Sequence, residues 1–258
     1  DVTSGQVTGT GSTQITINPS SDLAEQTEYY VQIAATAFDD SSSNSYAGIS
    51  DTTTLSFTTA DETNPSLSSS SPADNATAVA TTSNIVLNFS EAVDVETGNI
   101  VIYKSSDDSV VETIDVTSGQ VTGTGSTQIT INPSSDLAEQ TEYYVQIAAT
   151  AFDDSSSNSY AGISDKTTYS FTTADETAPV VSSVSPADDA TAVATNSNFV
   201  INFSEAVDVE TGNIVIYKAS DDSVLESIDV TSSQVTGTGT TQITINPSSD
   251  LAEQTEYY

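Results

Sequence analysis

The 258-residue chain has no Cys, His, Met, Trp or Arg, and only three Lys. Each absence removes a class of chemistry. Without Cys or His there is no zinc finger, iron–sulfur cluster, haem ligand set, thiol nucleophile or Ser-His-Asp triad. Three cations against 37 carboxylates leave a formal charge of −34. No basic patch can neutralise phosphates, so neither nucleic acid nor an anionic membrane is an expected partner. No apolar run approaches the ~20 residues that span a bilayer, and membrane insertion of this segment is not expected.

What remains is dominated by Ser, Thr, Asp, Val and Ala. Low hydrophobicity with high charge can mark disorder, but the patterning described below opposes it. The strongest signal is internal repetition. Residues 1–51 equal residues 115–165 without a mismatch, and a close variant starts at Asp229. The period is 114 residues, and aligning 1–144 with 115–258 gives 15 differences. Such a period has the size of a whole domain, not of a solenoid turn. The substitutions are mild where a core would need them: Ile85 becomes Phe199, Leu87 becomes Ile201, Val111 becomes Leu225. Thr-Thr-Ala-Asp-Glu-Thr-Asn-Pro (58–65) and its counterpart at 172–179 mark short linkers. The expected organisation is residues 1–60 as the C-terminal part of one repeat, 61–174 as a complete repeat, and 175–258 as the N-terminal part of another. The chain reads as a window onto a longer array.

Within the complete repeat, apolar and polar residues alternate with period two. Ile85, Leu87 and Phe89 share one face. Ile100 and Ile102 follow, then Val110–Val116, then Ile129 and Ile131. Tyr143, Val145 and Ile147 share a face, and Tyr169 and Phe171 close the pattern. With a leading strand near 66–71 this gives about seven strands. Turn signals at 72–75, 97–99, 123–125 and 132–134 separate them. No helical periodicity occurs. The expected fold is all-β: tandem seven-stranded antiparallel Ig-like β-sandwiches in a linear array.

The stretch from Leu137 through Thr141 to Tyr143 resembles that of fibronectin type III and related Ig-like sandwiches, which implies that Tyr143 forms a tyrosine corner. Ser-Pro-Ala-Asp (71–74), Val-Leu-Asn-Phe-Ser-Glu-Ala-Val (86–93), Thr-Gly-Asn-Ile (97–100) and Phe-Thr-Thr (171–173) together resemble the bacterial Ig-like repeats of giant extracellular surface and adhesin proteins. That resemblance implies a spacer at the cell surface, not an enzyme. Its carboxylate pairs Asp61/Glu62, Asp107/Asp108 and Asp153/Asp154 recur from copy to copy and read as solvated turns, not as the two acids of a glycosidase cleft.

Calcium is the more pointed expectation. In such a sandwich the loop after the second strand (Ser90–Gly98) and the loop after the sixth (Phe152–Ser164) lie at the pole where the repeat begins. Asp61 and Glu62 of the linker would there meet Glu91, Asp94 and Glu96, and Asp153, Asp154 and Asp165. So many carboxylates repel, and a hard cation such as Ca²⁺, which takes 6–8 oxygens, would relieve them. Asp154, Ser156, Asn158 and Asp165 fall at places 1, 3, 5 and 12 of a loop. The expected ligand set is therefore Asp61, Glu62, Glu91, Asp94, Asp153, Asp154, Asn158 and Asp165. Expected partners are the neighbouring repeats. A second reading is a self-assembling filament: residues 179–258 lack the end of the sixth strand and the seventh, and residues 31–60 hold that pair.

Overall fold

The computed structural model describes residues 1–258, which fold entirely as β-structure and turns. They form two compact units, Asp1–Asp175 and Glu176–Tyr258. No helix is long and apolar enough to cross a membrane.

The first unit opens with four short strands, β1 (Val7–Thr8), β2 (Thr16–Ile17), β3 (Glu28–Tyr30) and β4 (Ser56–Thr58). β1 pairs with β2 and β3 with β4. The complete repeat follows. Its strands are β5 (Leu67–Ser71), β6 (Ala76–Val79), β7 (Ile85–Val95), β8 (Asn99–Lys104) and β9 (Ser109–Asp115). They continue as β10 (Val121–Thr122), β11 (Ser126–Ile131), β12 (Glu142–Ile147), β13 (Phe152–Asp153) and β14 (Ser170–Thr173). This repeat has ten strands where about seven were expected; β5, β7, β8, β9, β11, β12 and β14 fall where strands were read from the sequence. Short strands β6, β10 and β13 join them.

One sheet runs β10-β11-β7, with β5 and β13 sharing the far edge of the long β7. The other runs β6-β14-β12-β8-β9. All pairings are antiparallel except β6 with β14, which is parallel. The alternation read from sequence is the cause of this layering. Ile85, Leu87 and Phe89 of β7, Ile100 and Ile102 of β8, Ile129 and Ile131 of β11, and Val145 and Ile147 of β12 all point inward and are buried in one core. Phe171 of β14 and Tyr169 just before it complete the core.

Two turn devices recur in each copy. Tyr143 Oη accepts a hydrogen bond from the Ala138 N–H at 2.9 Å, and Tyr29 and Tyr257 do the same for Ala24 and Ala252. This is the tyrosine corner that the resemblance implies. Gly123, at φ +107°, closes the β10–β11 hairpin. A Cβ there would run into the Gln128 carbonyl, and the same holds for Gly9 with Gln14 and Gly237 with Gln242.

The second unit contains β15 (Val181–Ser185), β16 (Phe199–Val207), β17 (Asn213–Lys218), β18 (Ser223–Asp229), β19 (Val235–Thr236) and β20 (Thr240–Ile245). One sheet runs β15-β16-β20-β19, and β17 pairs with β18. Ile216, Ile228, Ile243 and Ile245 are buried, while Phe199, Ile201 and Phe203 are only half-buried.

Candidate functional site

The second strand of the repeat is longer than the sequence suggested. Ser90–Gly98 was expected as a loop, but β7 continues to Val95 and only 96–98 turn. The reason is packing. Val93 is fully buried and belongs to the same inward, odd-numbered series as Ile85, Leu87 and Phe89. Glu91 occupies that series too. It is the acidic interruption in an apolar face, held half-buried near the end of the sandwich.

The short strand β13 brings the sixth-to-seventh-strand loop to the same place. Phe152 and Asp153 pair with Val95 and Asp94 of β7. Phe152 is buried and packs against Phe89, ring centroids 5.4 Å apart. Asp154, the residue after this strand, is thereby delivered beside Glu91. Asp154 organises its own loop: Oδ1 accepts the N–H groups of Ser156 and Asn158, each at 2.8 Å. Its Oδ2 accepts from Asn158 Nδ2, also at 2.8 Å.

Asp61 arrives from the linker. Its carbonyl accepts a hydrogen bond from Asn158 Nδ2 at 3.1 Å, joining linker to loop. Its carboxylate accepts from Gln26 Nε2 at 2.6 Å. Thr63 donates to Glu25 across the same junction, also at 2.6 Å. Gln26 sits in the left-handed region at φ 48°, as do Gln140 and Gln254 in the other copies. Gln140 repeats the latch, donating to Asp175 at 2.6 Å.

Three carboxylates therefore converge. One oxygen from each of Asp61, Glu91 and Asp154 lies within 4.8 Å of the others. Asp154 is almost wholly buried, and the other two are half-buried. No Lys is among them. Burial pushes the Glu91 carboxyl above its ordinary value, and the charges of Asp154, Asp61 and Glu25 push it the same way. Burial also works to raise Asp154, but the hydrogen bonds from Asn158 and Ser156 prevail and hold it below the usual carboxylate range. Within one site, hydrogen bonds lower one carboxyl while burial and like charge raise its neighbour.

The remaining expected ligands lie elsewhere. Glu62 is exposed. Asp94 accepts from Thr124 Oγ1 at 3.2 Å. Asp153 is placed in the β13–β7 ladder. Asp165 caps its own turn, accepting the N–H and hydroxyl groups of Thr167 and Thr168. Of the 1-3-5-12 places, Asp154 accepts hydrogen bonds from Ser156 and Asn158 within the loop, and Asp165 is engaged by its own turn. Glu25 and Gln26 were missed. The signal was available: the loop before the sixth strand lies at the pole that adjoins the next linker.

A bacterial Ig-like domain family model matches residues 1–59, 61–173 and 175–258. No curated protein matches the sequence. Among solved structures, the crystal structure of the S-layer protein rSbsC(31-844) is similar at 11% identity and a TM-score of 0.31, over 76% of this chain and 25% of that one. The chain thus spans about a quarter of that S-layer structure, and at this score the likeness carries no argument. The family match covers the repeats almost end to end, and with the two-sheet core and the recurring tyrosine corner it places this chain in the bacterial Ig-like domain family.

Proposed function

We propose that the chain is a structural spacer, part of the stalk or fibre of a bacterial extracellular surface protein such as an adhesin, and that Ca²⁺ stiffens its inter-repeat junction. Bacterial Ig-like domains are structural, non-catalytic modules, which supports the first half. Sparse Lys and absent Arg leave trypsin-like proteases few sites, which suits exposure outside the cell. Strong negative charge keeps near-identical β-repeats from aggregating.

The observation that carries the reading is the convergence of Asp61, Glu91 and Asp154. They come from three separate places: the linker, the second strand and the loop after the sixth. Any ion held by all three fixes the angle at which one repeat follows the previous one. The donor set fits a hard cation. All three ligands are carboxylates, each brings one oxygen to the cluster, no Lys lies among them, and oxygen donors of this kind are what Ca²⁺ takes. Nitrogen- or sulfur-preferring metals find no donor. Asp61, Glu91 and Asp154 would hold the ion, with Asn158 orienting Asp154 and anchoring the linker. The Gln26–Asp61 and Thr63–Glu25 bonds give the junction a first level of order, and the ion would remove the repulsion that opposes it.

Thermal unfolding and small-angle scattering of the chain in EDTA, Mg²⁺ and Ca²⁺ test this. A rise in Tm and in maximum dimension with Ca²⁺, absent with Mg²⁺ at equal ionic strength, is expected, because a ligand that binds only the native state stabilises it by mass action. Identical behaviour in Ca²⁺, Mg²⁺ and NaCl would overturn the calcium reading and leave the spacer role resting on latch and packing.

A further inference from the structure

The linker that enters the complete repeat is bonded to both of its neighbours. On the preceding side, the loop before β3 grips it. Thr27 N–H donates to Thr59 Oγ1 at 3.0 Å, and Gln26 N–H to the Ala60 carbonyl at 3.3 Å. The Gln26 side chain then reaches Asp61 Oδ2, and Thr63 Oγ1 donates to Glu25 Oε2, each at 2.6 Å. On the following side, Asn158 Nδ2 donates to the Asp61 carbonyl at 3.1 Å, and Ser66 exchanges hydrogen bonds with Ser90.

Asp61 is therefore tied both ways, its carboxylate to the repeat before and its carbonyl to the repeat after. The carboxylate is also fixed in rotation, because Thr63 N–H donates to its other oxygen at 3.2 Å. Between Thr63, bonded to the preceding repeat, and Ser66, bonded to the following one, stand only Asn64 and Pro65. Pro65 is buried. Its ring fixes its own φ and restricts the residue before it. No stretch of this linker is long enough to behave as a flexible coil.

The same grip is built at the end of the complete repeat. Gln140 N–H donates to the Ala174 carbonyl at 3.1 Å, Thr141 N–H to Thr173 Oγ1 at 3.0 Å, and Gln140 Nε2 to Asp175 Oδ2 at 2.6 Å. The grip is thus a property of the repeat.

We propose that this latch, and not an ion, sets the orientation of the complete repeat on the one before it. Gln26 is the positioning residue, and it acts through Asp61. A cation at Asp61, Glu91 and Asp154 would then hold an orientation already chosen. The proposal stands apart from the calcium reading, since every bond in the latch runs between protein groups.

The chain has no Cys, so Ser56→Cys on β4 and Thr113→Cys on β9, both at exposed positions, place one spin label on each repeat. Pulsed electron double resonance of the full chain in EDTA is expected to give one dominant distance. Added Ca²⁺ is expected to narrow that peak without moving it. Gln26→Gly removes the amide at φ 48°, a backbone angle that glycine adopts without strain. It is expected to lose the dominant peak while the complete repeat keeps its Tm, whereas Gln140→Gly, at the other end of that repeat, leaves the peak in place. Gln26→Glu sets a like charge against Asp61 and is expected to lose the peak as well. Combining it with Asp61→Asn turns donor and acceptor round and is expected to restore the peak. No dominant distance in the unmutated chain, a peak that Ca²⁺ carries to a new distance, or a peak that survives Gln26→Gly would each overturn the proposal. Failure of the paired exchange to restore the peak would do the same. A sharp peak in EDTA that Ca²⁺ leaves unchanged would support the latch and count against the calcium reading alone.

Discussion

Neutralising Glu91 separates electrostatic from structural roles at the junction. Two like charges at about 4.8 Å repel by about 1 kcal/mol in water and about 3.5 kcal/mol at an effective dielectric near 20. Glu91 faces two such partners, is half-buried, and can partly turn away, so Glu91→Gln should stabilise the calcium-free repeat by about 1–3 kcal/mol. For a domain of this size that is a Tm rise of roughly 4–12 °C. Calcium should reverse the order. At a hundredfold excess over Kd an ion adds about 2.7 kcal/mol to the wild type, and the variant, short of one ligand, gains less. Differential scanning calorimetry of both chains in EDTA and in saturating Ca²⁺ reads the four values. The crossing of the two orders is the diagnostic. A Glu91→Gln chain less stable than wild type in EDTA would refute the reasoning, because it would mean that Glu91 is held by attraction and not by packing against repulsion.

The pH dependence follows from the same residue. The folded-state pKa of Glu91 lies above the ordinary value of 4.5, so the folded protein binds that proton more tightly than the unfolded chain. Stability contributed by Glu91 therefore rises as pH falls through its raised pKa and is lost again as pH climbs. Asp154 and Glu112 have the opposite sign, their contribution failing only below the usual carboxylate range. Tm of the calcium-free wild type should thus increase on mild acidification before it falls, and Glu91→Gln should flatten the rise; a wild-type Tm that falls monotonically from pH 7 contradicts this. Leu87→Ala should cost about 3 kcal/mol in the urea transition of the complete repeat, since Leu87 is fully buried; a loss under 1 kcal/mol would mean the core is not as described. Tyr143→Phe should cost about 1–2 kcal/mol in the same transition by leaving the Ala138 N–H without its acceptor. Lys166→Ala should change it by less than about 0.5 kcal/mol, because the 3.3 Å pair with Asp108 is exposed on both sides.

The long strands were legible because their alternation is regular and their turns are marked by Gly, Pro and Asn. The short strands were not. β6 (Ala76–Val79) and β10 (Val121–Thr122) are too short to show a period, and tertiary pairing, not local pattern, defines them. The far half of β7 was read as a loop because Glu91 breaks the apolar series, although Val93 resumes it in phase. That break is the site itself, so the feature that obscured the strand is the one that carries the chemistry. Asp61, Glu91 and Asp154 could be placed at one pole from strand order alone. Which of eight acids would meet depended on β13, two residues long, and on side-chain hydrogen bonds that leave Asp165 occupied by its own turn. Strand order could have placed Gln26 at the junction, but not its latch to Asp61, since nothing in the sequence announces its left-handed backbone.

The parallel pairing of β6 with β14 has a mechanical consequence. Ala76 lies beside Phe171 and Val79 beside Thr173, and the flanking bonds Asn75 N to Ser170 O and Ala174 N to Val79 O, each 2.7 Å, extend the clasp at both ends. β6 lies near the start of the repeat and β14 at its end. Tension transmitted through the chain drags two parallel strands in opposite directions along their length. Their hydrogen bonds, lying across that direction, are loaded together in shear and must fail as a group, whereas a hairpin pulled from its open end unzips one bond at a time. A tether made of such repeats resists a sudden tug at each clasp and yields, when it yields, one whole repeat at a time.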